Sequence, residues 1–468
     1  MSNKHSQNAL NEQKAKVSGV SPKLKIIAPC TIGNGILKLS PPQQTFYEKI
    51  FDEISGALCF FIPASGSGSR MFDFLQVELS LGKKELAVKT NDFMNRLNEF
   101  AFYKFLNEKE KEQVLSFQSH EEVIAFILEG KNNGIGLGYL PKGLVPFHTY
   151  KDRNSSAFYE HLSQGISLTH KKVNFHFTIQ DIHQDAFQKA LFKFKSENEI
   201  ELEVDFSIQD PDTDAYVFDK HNEPLKCQNN TYLRRPSGHG ALLSNMNKLK
   251  EQYLLVKNID NVQHRSRAEP GIKVWRVLCG ILYNVKNELK SIYEDLDYDK
   301  LKSVSKQFDL FSDEEVEASK DKDFLKKMVN RPLRICGMVL NEGKAGGGPF
   351  YVQYDGKISK QIVEGVQITG DEQQQIFNSS THFNPVMMAI DSHNFDGEKI
   401  DFTMFSNDDQ YFVVNKNFEG EEVSFIERPG LWNGAMFSWN TIFIEIPSET
   451  FTPVKSILDL LQPAHQPR

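Results

Sequence analysis

Between an apolar run and an arginine lies Ser65-Gly66-Ser67-Gly68-Ser69-Arg70, a composition suited to holding phosphate. Glycines let the backbone come close and aim several N–H groups at one anion. Serine hydroxyls add donors, and Arg70 adds a fixed cation where the next helix begins. The segment lacks the lysine-serine ending of a P-loop, which counts against a kinase-like phosphate binder. A second cation, Lys142, stands between Pro141 and Gly143 on a stiff turn, where it can meet a phosphate or simply face solvent. Gln209 closes an apolar stretch, and its amide can read a base edge as donor and acceptor. Gly238-His239-Gly240 then opens a helix, again permitting close backbone approach to a ligand.

Asp260 ends the apolar run Tyr253–Ile259. Beyond the carboxyl end of such a strand an aspartate can bind Mg²⁺ as a monodentate ligand, or it can cap the next helix together with Asn261. Gly346-Gly347-Gly348 is costly in chain entropy, so a sharp turn or a ligand contact is expected there. The alternation over Gln361–Gln367 places Gln361, Val363, Gly365 and Gln367 on one face and Glu364 on the other. Asn384 and Asn433 each adjoin a turn former. They can shape turns, bond sugar hydroxyls or ligate a metal.

Several elements must position these groups. Residues 1–22 read as a mobile tail and 23–468 as one large domain. Residues 42–55 are predicted helical and 57–62 a buried strand. Within the domain, 72–140 is rich in Phe, Leu, Glu and Lys at helical spacing, a helical insertion of about two to four helices. Strands and helices then alternate from Gly143 to Ile259, as in βαβ units with a largely parallel sheet. That rhythm includes a helix over His239–Lys250. Residues 271–330 are predicted helical, 333–447 strand-rich, and Val454–Leu461 a short closing helix.

A net charge of −8 argues against a general nucleic-acid or anionic-membrane binder, although a small anionic substrate needs only a local basic pocket. No apolar run approaches bilayer length, and the polar amino terminus has no apolar core for a secretory signal. The five cysteines are odd in number and show no metal-pair spacing. Cys59 and Cys336 lie in apolar runs and are expected as buried thiols. The expectation is a soluble cytoplasmic protein. Oligomeric state is not legible.

Taken in order, these segments resemble the nucleotide-sugar pyrophosphorylases over roughly residues 57–445. Pro63–Met71 resembles their glycine-rich first loop, which usually ends Gly-Thr-Arg-Met or Gly-Ser-Arg-Met, and Pro141-Lys142 resembles their Pro-Lys motif. The resemblance implies nucleotide contacts at Ala64, Ser65, Gly66, Gly68, Ser69, Gln209, Gly238 and His239. It implies charge neutralisation by Arg70 and Lys142, and sugar contacts at Gly337, Glu364 and Asn384. Mg²⁺ is expected on Asp260, with Asn433, and after it Asn440, as second ligand. The wording of Pro141–Phe147, Gly238–Leu243, Lys257–Val262, Gly343–Phe350 and Pro429–Thr441 is closer still to a bacterial family known only as a nucleotidyltransferase-like domain of unknown function. The implied fold is α/β, a GT-A-like doubly wound mixed sheet with an all-helical insertion and a strand-rich carboxyl-terminal half. The implied substrates are an NTP and a sugar 1-phosphate, with an NDP-sugar and pyrophosphate as products. No nucleic-acid or membrane partner is implied. The alternatives are a glycosyltransferase using an NDP-sugar donor and a non-catalytic nucleotide or sugar sensor. In this sequence 72–140 separates the loop from its lysine far more widely than in compact members.

Overall fold

Asn107, Ser119 and Ser312 each stand three residues before a glutamate. In each case the cap side chain accepts from that glutamate's backbone N–H while the glutamate reaches back. These reciprocal bonds fix the starts of helices Glu108–Ser116, His120–Glu129 and Asp313–Ala318. The computed structural model describes residues 2–19, 24–81, 87–130, 134–343, 346–418 and 420–468. The chain divides into two units. The first comprises Met1–Gly56, Gln209–Leu255 and Val277–Ile446, and the second Ala57–Ile208, Val256–Arg276 and Pro447–Arg468. The boundaries fall inside the stretch expected to be one domain.

In the second unit, strands Leu58–Pro63, Val173–Ile179 and Val204–Ile208 pair in parallel. Phe60 stacks on Phe175 at 5.6 Å, and Phe158 meets Phe177 edge-on at 4.8 Å. Aromatic packing of this kind supports a buried parallel sheet. Residues 72–140 hold helices Asp73–Leu81, Val88–Asn95, Ala101–Lys104, Glu108–Ser116 and His120–Glu129, and among the described residues no strand. Residues 82–86 and 131–133 of the expected insertion lie outside the described residues. The expected extended segment at Gly143 is a 3₁₀ turn, Lys142–Leu144, followed by strand Pro146–Thr149. The expected closing helix is a 3₁₀ helix, Ile457–Leu461.

In the first unit the strand order is Thr31–Ile32, Gly35–Leu37, Asn440–Glu445, Leu333–Leu340, Met387–Asp391, Tyr253–Lys257. The last two residues of this final strand belong to the second unit. Leu333–Leu340 pairs parallel with Asn440–Glu445 and antiparallel with Met387–Asp391, so the sheet is mixed. A separate antiparallel sheet joins Lys25–Pro29, Gly348–Tyr354 and Lys357–Val363 over a core of Ile26, Phe350, Val352 and Val363. Residues 344–345 of the glycine-rich loop lie outside the described residues. The alternation predicted to Gln367 stops at Val363, and Gly365–Gln367 is a 3₁₀ turn with Glu364 at its start. His239–Lys250 is likewise a 3₁₀ turn, His239–Leu242, and one α turn, Leu243–Met246.

Within the expected tail, the structure places a helix over Ser2–Ser18 instead. Leu10 is buried against Tyr216 and Phe218, and the Gln13 side chain accepts from the Tyr216 N–H at 2.8 Å. So few apolar residues make no stripe legible in sequence, and these tertiary contacts decide the outcome. Met1 and residues 20–22 lie outside the described residues. Cys30, Cys59, Cys279 and Cys336 are buried, as expected for Cys59 and Cys336. No helix among the described residues is long and apolar enough to cross a membrane.

Gly280 offers a direct test of helix packing. A Cβ there would lie 2.0 Å from the Tyr47 carbonyl oxygen in helix Pro41–Glu53. Gly280→Ala is expected to destabilise the protein by about 1–3 kcal/mol despite better helix propensity, read as a lower urea midpoint.

Candidate functional site

The apolar strand Leu58–Pro63 delivers the glycine-serine turn, and two backbone bonds tie that turn to the lysine segment. The Gly68 N–H donates to the Leu140 carbonyl and the Lys142 N–H to the Gly66 carbonyl, both at 3.2 Å. A Cβ at Gly68 would lie 2.7 Å from the Leu140 oxygen, so this close approach needs glycine. The Ala64 N–H is taken by the Thr178 carbonyl at 2.8 Å. Ala64 and Gly68 therefore shape the turn with their amides already engaged. Ser65, Gly66 and Ser67 make no backbone bond through their N–H groups among the described residues. The Ser67 and Ser69 hydroxyls are 2.9 Å apart, and Arg70 is exposed at the start of the following 3₁₀ turn.

Lys142 lies beside Asp260. Its Nζ is 2.7 Å from Asp260 Oδ2, although 118 residues separate the two in sequence. Asp260 does not cap a helix; the next 3₁₀ turn starts at Arg265 with His264 as its cap. The carboxylate sits in a turn held by the His161 ring, which donates from Nε2 to the Ile259 carbonyl at 3.1 Å. A third residue, which sequence reasoning missed, completes the cluster: Lys455 Nζ is 2.9 Å from the same Oδ2. Its signal was weak, because in Pro453-Val454-Lys455 the lysine stands two residues after the proline and not directly after it, as in Pro141-Lys142.

Burial alone would raise the Asp260 carboxyl, yet Lys142 and Lys455 outweigh it and hold the group below its ordinary range. For Lys142 burial wins. It draws the ammonium below its usual value, Asp260 offsets this only in part, and Lys455 and Arg70 push the same way. Two lysines thus meet one buried carboxylate, and Arg70 acts on Lys142, leaving an excess of positive charge at the foot of the glycine turn.

The first unit holds a second cluster. Glu364 Oε1 accepts from the Trp432 indole N–H at 2.9 Å and lies 3.5 Å from His239 Nε2. The His239 and Trp432 rings stack with centroids 4.1 Å apart. His239 Nδ1 accepts from the Leu431 N–H at 2.9 Å, which leaves its other nitrogen to carry a proton toward Glu364. Burial raises the Glu364 carboxyl, but His239 and then Trp432 more than compensate and keep it below its ordinary range. His239, expected at the base, is therefore joined to Glu364, expected at the sugar. Gly238 has φ +76°, and a Cβ there would meet Glu427 at 2.5 Å. The Gln209 amide donates to Asp214 at 2.9 Å.

Other expected residues have local structural work. Asn384 Oδ1 accepts from the Val386 N–H at 3.0 Å, which is the turn-shaping alternative. Gly337 makes room for Ile446, since a Cβ would meet that side chain at 2.6 Å. Asn440 donates to the Met328 carbonyl at 3.0 Å and is engaged with the end of helix Lys322–Val329. Asn433 donates to Gln367 at 2.8 Å, and its Oδ1 is buried without a hydrogen-bond partner among the described residues. Among the described residues no group of three or more His, Cys, Asp or Glu could hold a metal ion.

The mixed α/β fold is similar to that of the UDP-sugar pyrophosphorylases. The uridine diphosphate N-acetylglucosamine pyrophosphorylase of Trypanosoma brucei, solved with an inhibitor, superposes with a TM-score of 0.51 at 14% identity, over 98% of this chain and 75% of that one. A UDP-glucose pyrophosphorylase mutant from Leishmania major gives 0.45 at 13% identity, over 97% of this chain and 74% of its own. At 14% identity the first of these likenesses is one of fold alone. The chain belongs to the family of the domain of unknown function DUF4301, whose model matches residues 1–466. No curated protein matches it.

Proposed function

We propose that the chain is a nucleotidyltransferase that joins an NTP to a sugar 1-phosphate and releases pyrophosphate. The observation behind this reading is the excess of cations over carboxylate at Lys142, Lys455, Arg70 and Asp260, next to a turn with uncommitted N–H groups. A phosphate oxygen of the sugar phosphate attacks the α-phosphorus in line, and the bond to the pyrophosphate oxygen breaks. The protein then needs mainly to position the groups and neutralise charge. In this reading Ser65, Gly66 and Ser69 hold phosphate oxygens, and Arg70, Lys142 and Lys455 offset the charge on the triphosphate and the leaving pyrophosphate. In the first unit, taken by itself, Gln209 and Gly238 are the residues proposed for the base, and Glu364, with His239 and Trp432, those proposed for sugar hydroxyls.

A lone carboxylate fits Mg²⁺ that arrives with the nucleotide, because that ion keeps several waters and uses one or two carboxylates plus substrate phosphates. Asp260 would hold it through the carboxylate that now meets two lysines. Bound there, the ion would supply further charge neutralisation on the phosphates.

The test is pyrophosphate release by purified protein with Mg²⁺, each of the four NTPs and a panel of sugar 1-phosphates. The expected result is release that requires one NTP and one sugar 1-phosphate together. No release with any pairing, or release from an NTP that does not need the sugar 1-phosphate, from an intact protein, would refute the reading. In the active pairing, Glu364→Gln should raise KM for the sugar phosphate about tenfold and leave KM for the NTP within about twofold, as loss of one charged hydrogen bond predicts.

A further inference from the structure

Lys455 reaches Asp260 from Pro447–Arg468, whose regular structure is three 3₁₀ turns: Ser448–Thr450, Ile457–Leu461 and Pro463–His465. Neither a long helix nor a sheet ladder fixes this segment. Beside the lysine, the Val454 N–H donates to the Asp260 carbonyl at 3.1 Å and the Thr452 N–H to Asn261 Oδ1 at 3.0 Å. On its other side Thr452 is met by a buried chain of titratable groups. His465 Nε2 is 3.1 Å from the Thr452 carbonyl, and its Nδ1 is 3.0 Å from Nε2 of His148. His148 Nδ1 lies 3.0 Å from Glu160 Oε1, which also accepts from the Tyr150 hydroxyl at 2.8 Å. His465, His148 and Glu160 are 2%, 0% and 1% exposed.

The acceptors dictate where the protons lie. A carbonyl only accepts, so His465 holds its proton on Nε2. Burial pushes His465 down to about 3, which keeps it neutral and leaves Nδ1 as an acceptor. His148 therefore donates from Nε2. Burial raises Glu160, but His148, Ser155 and Tyr150 outweigh it and keep the carboxylate ionised. His148 Nδ1 faces that carboxylate at 3.0 Å without a well-directed hydrogen bond.

We propose that the chain Tyr150–Glu160–His148–His465 is a positioning latch for Lys455. It grips the Thr452 carbonyl while Asn261 grips the Thr452 amide, and so keeps the ammonium three residues on against Asp260. The inference rests on the reading of Lys455 as a phosphate contact. His264 lends a second anchor, because its backbone N–H donates to the Ala464 carbonyl at 2.9 Å and its ring stacks on Tyr150 at 4.5 Å. These are positioning residues that touch no substrate.

His465→Gln keeps an N–H for Thr452 and an oxygen for His148, whereas His465→Phe keeps bulk and loses both. The probe is inorganic pyrophosphate with Mg²⁺, titrated calorimetrically into the full chain, alongside hydrogen exchange at the Thr452 and Val454 amides. His465→Phe is expected to weaken pyrophosphate binding about tenfold, as Lys455→Ala does, and to add nothing in the Lys455→Ala background. Exchange at both amides should quicken about tenfold or more, and His465→Gln should stay within about twofold of wild type in both readouts. Unchanged exchange in His465→Phe, or additive losses in the double variant, would overturn the latch. If exchange quickens but the wild-type chain binds no pyrophosphate, the phosphate reading of Lys455 falls and the latch stands. Should His465→Phe fail to fold, Glu160→Gln removes the carboxylate that faces His148 and gives the same two readouts.

Discussion

Lys142→Ala is expected to lower the rate of pyrophosphate formation by about a thousandfold, the scale of losing one preorganised charge partner of a developing oxyanion. Two effects must be separated. Lys142 faces the phosphates in the proposed complex, but in the free protein it also partners Asp260, which is 5% exposed. Removing the lysine leaves that buried carboxylate with Lys455 alone, and an under-compensated buried charge destabilises the fold. The double variant Lys142→Ala/Asp260→Asn distinguishes them. Neutralising the orphaned carboxylate should recover most of the lost stability and none of the lost rate. Recovery of both would mean that Lys142 serves the fold only. Lys142→Arg should not rescue the rate, because a planar fork does not replace a compact ammonium where side-chain exposure is only 14%.

Lys257→Met is expected to stabilise the protein by roughly 3 kcal/mol at pH 7, the largest stability change anticipated. Lys257 is 3% exposed, and burial alone pushes its ammonium from 10.5 down to about 8. The unfolded chain therefore binds this proton more tightly than the folded chain. Below about pH 8 both states are protonated and the full penalty of a buried charge stands. As pH rises from about 8 toward 10.5 the folded state sheds the proton first, so wild-type stability rises and the advantage of methionine shrinks. Urea midpoints of both proteins at pH 7 and pH 9.5 check this. An equal gain at the two pH values would show that Lys257 keeps its proton in the fold up to pH 9.5, so that burial does not draw its ammonium down.

The residues that sequence made most legible were those whose chemistry and backbone needs coincide. The turn Ser65–Arg70 and the segment Pro141-Lys142 show both polar function and turn geometry, and the structure joins them with Asp260 in one unit. The apolar run at Leu58–Pro63 was a strong strand signal because parallel strands are buried on both faces. Partnership across distance was not legible. Nothing local to Trp432 reveals that its indole meets Glu364, 68 residues away. Nothing local to the polar segment Ser2–Ser18 reveals that Tyr216 and Phe218 will bury Leu10. Asn384 and Asn440 show the same limit from the local side. An asparagine beside a turn or helix end has the composition of a ligand, and only hydrogen-bond partners show that its amide is already engaged.

The most direct measurement follows the phosphorus. With an NTP labelled at the α-phosphate, the active sugar 1-phosphate and Mg²⁺, the label is expected to move into an NDP-sugar while unlabelled pyrophosphate appears in equal amount. Label recovered as free NDP or NMP, with no NDP-sugar formed, would contradict the proposed reaction.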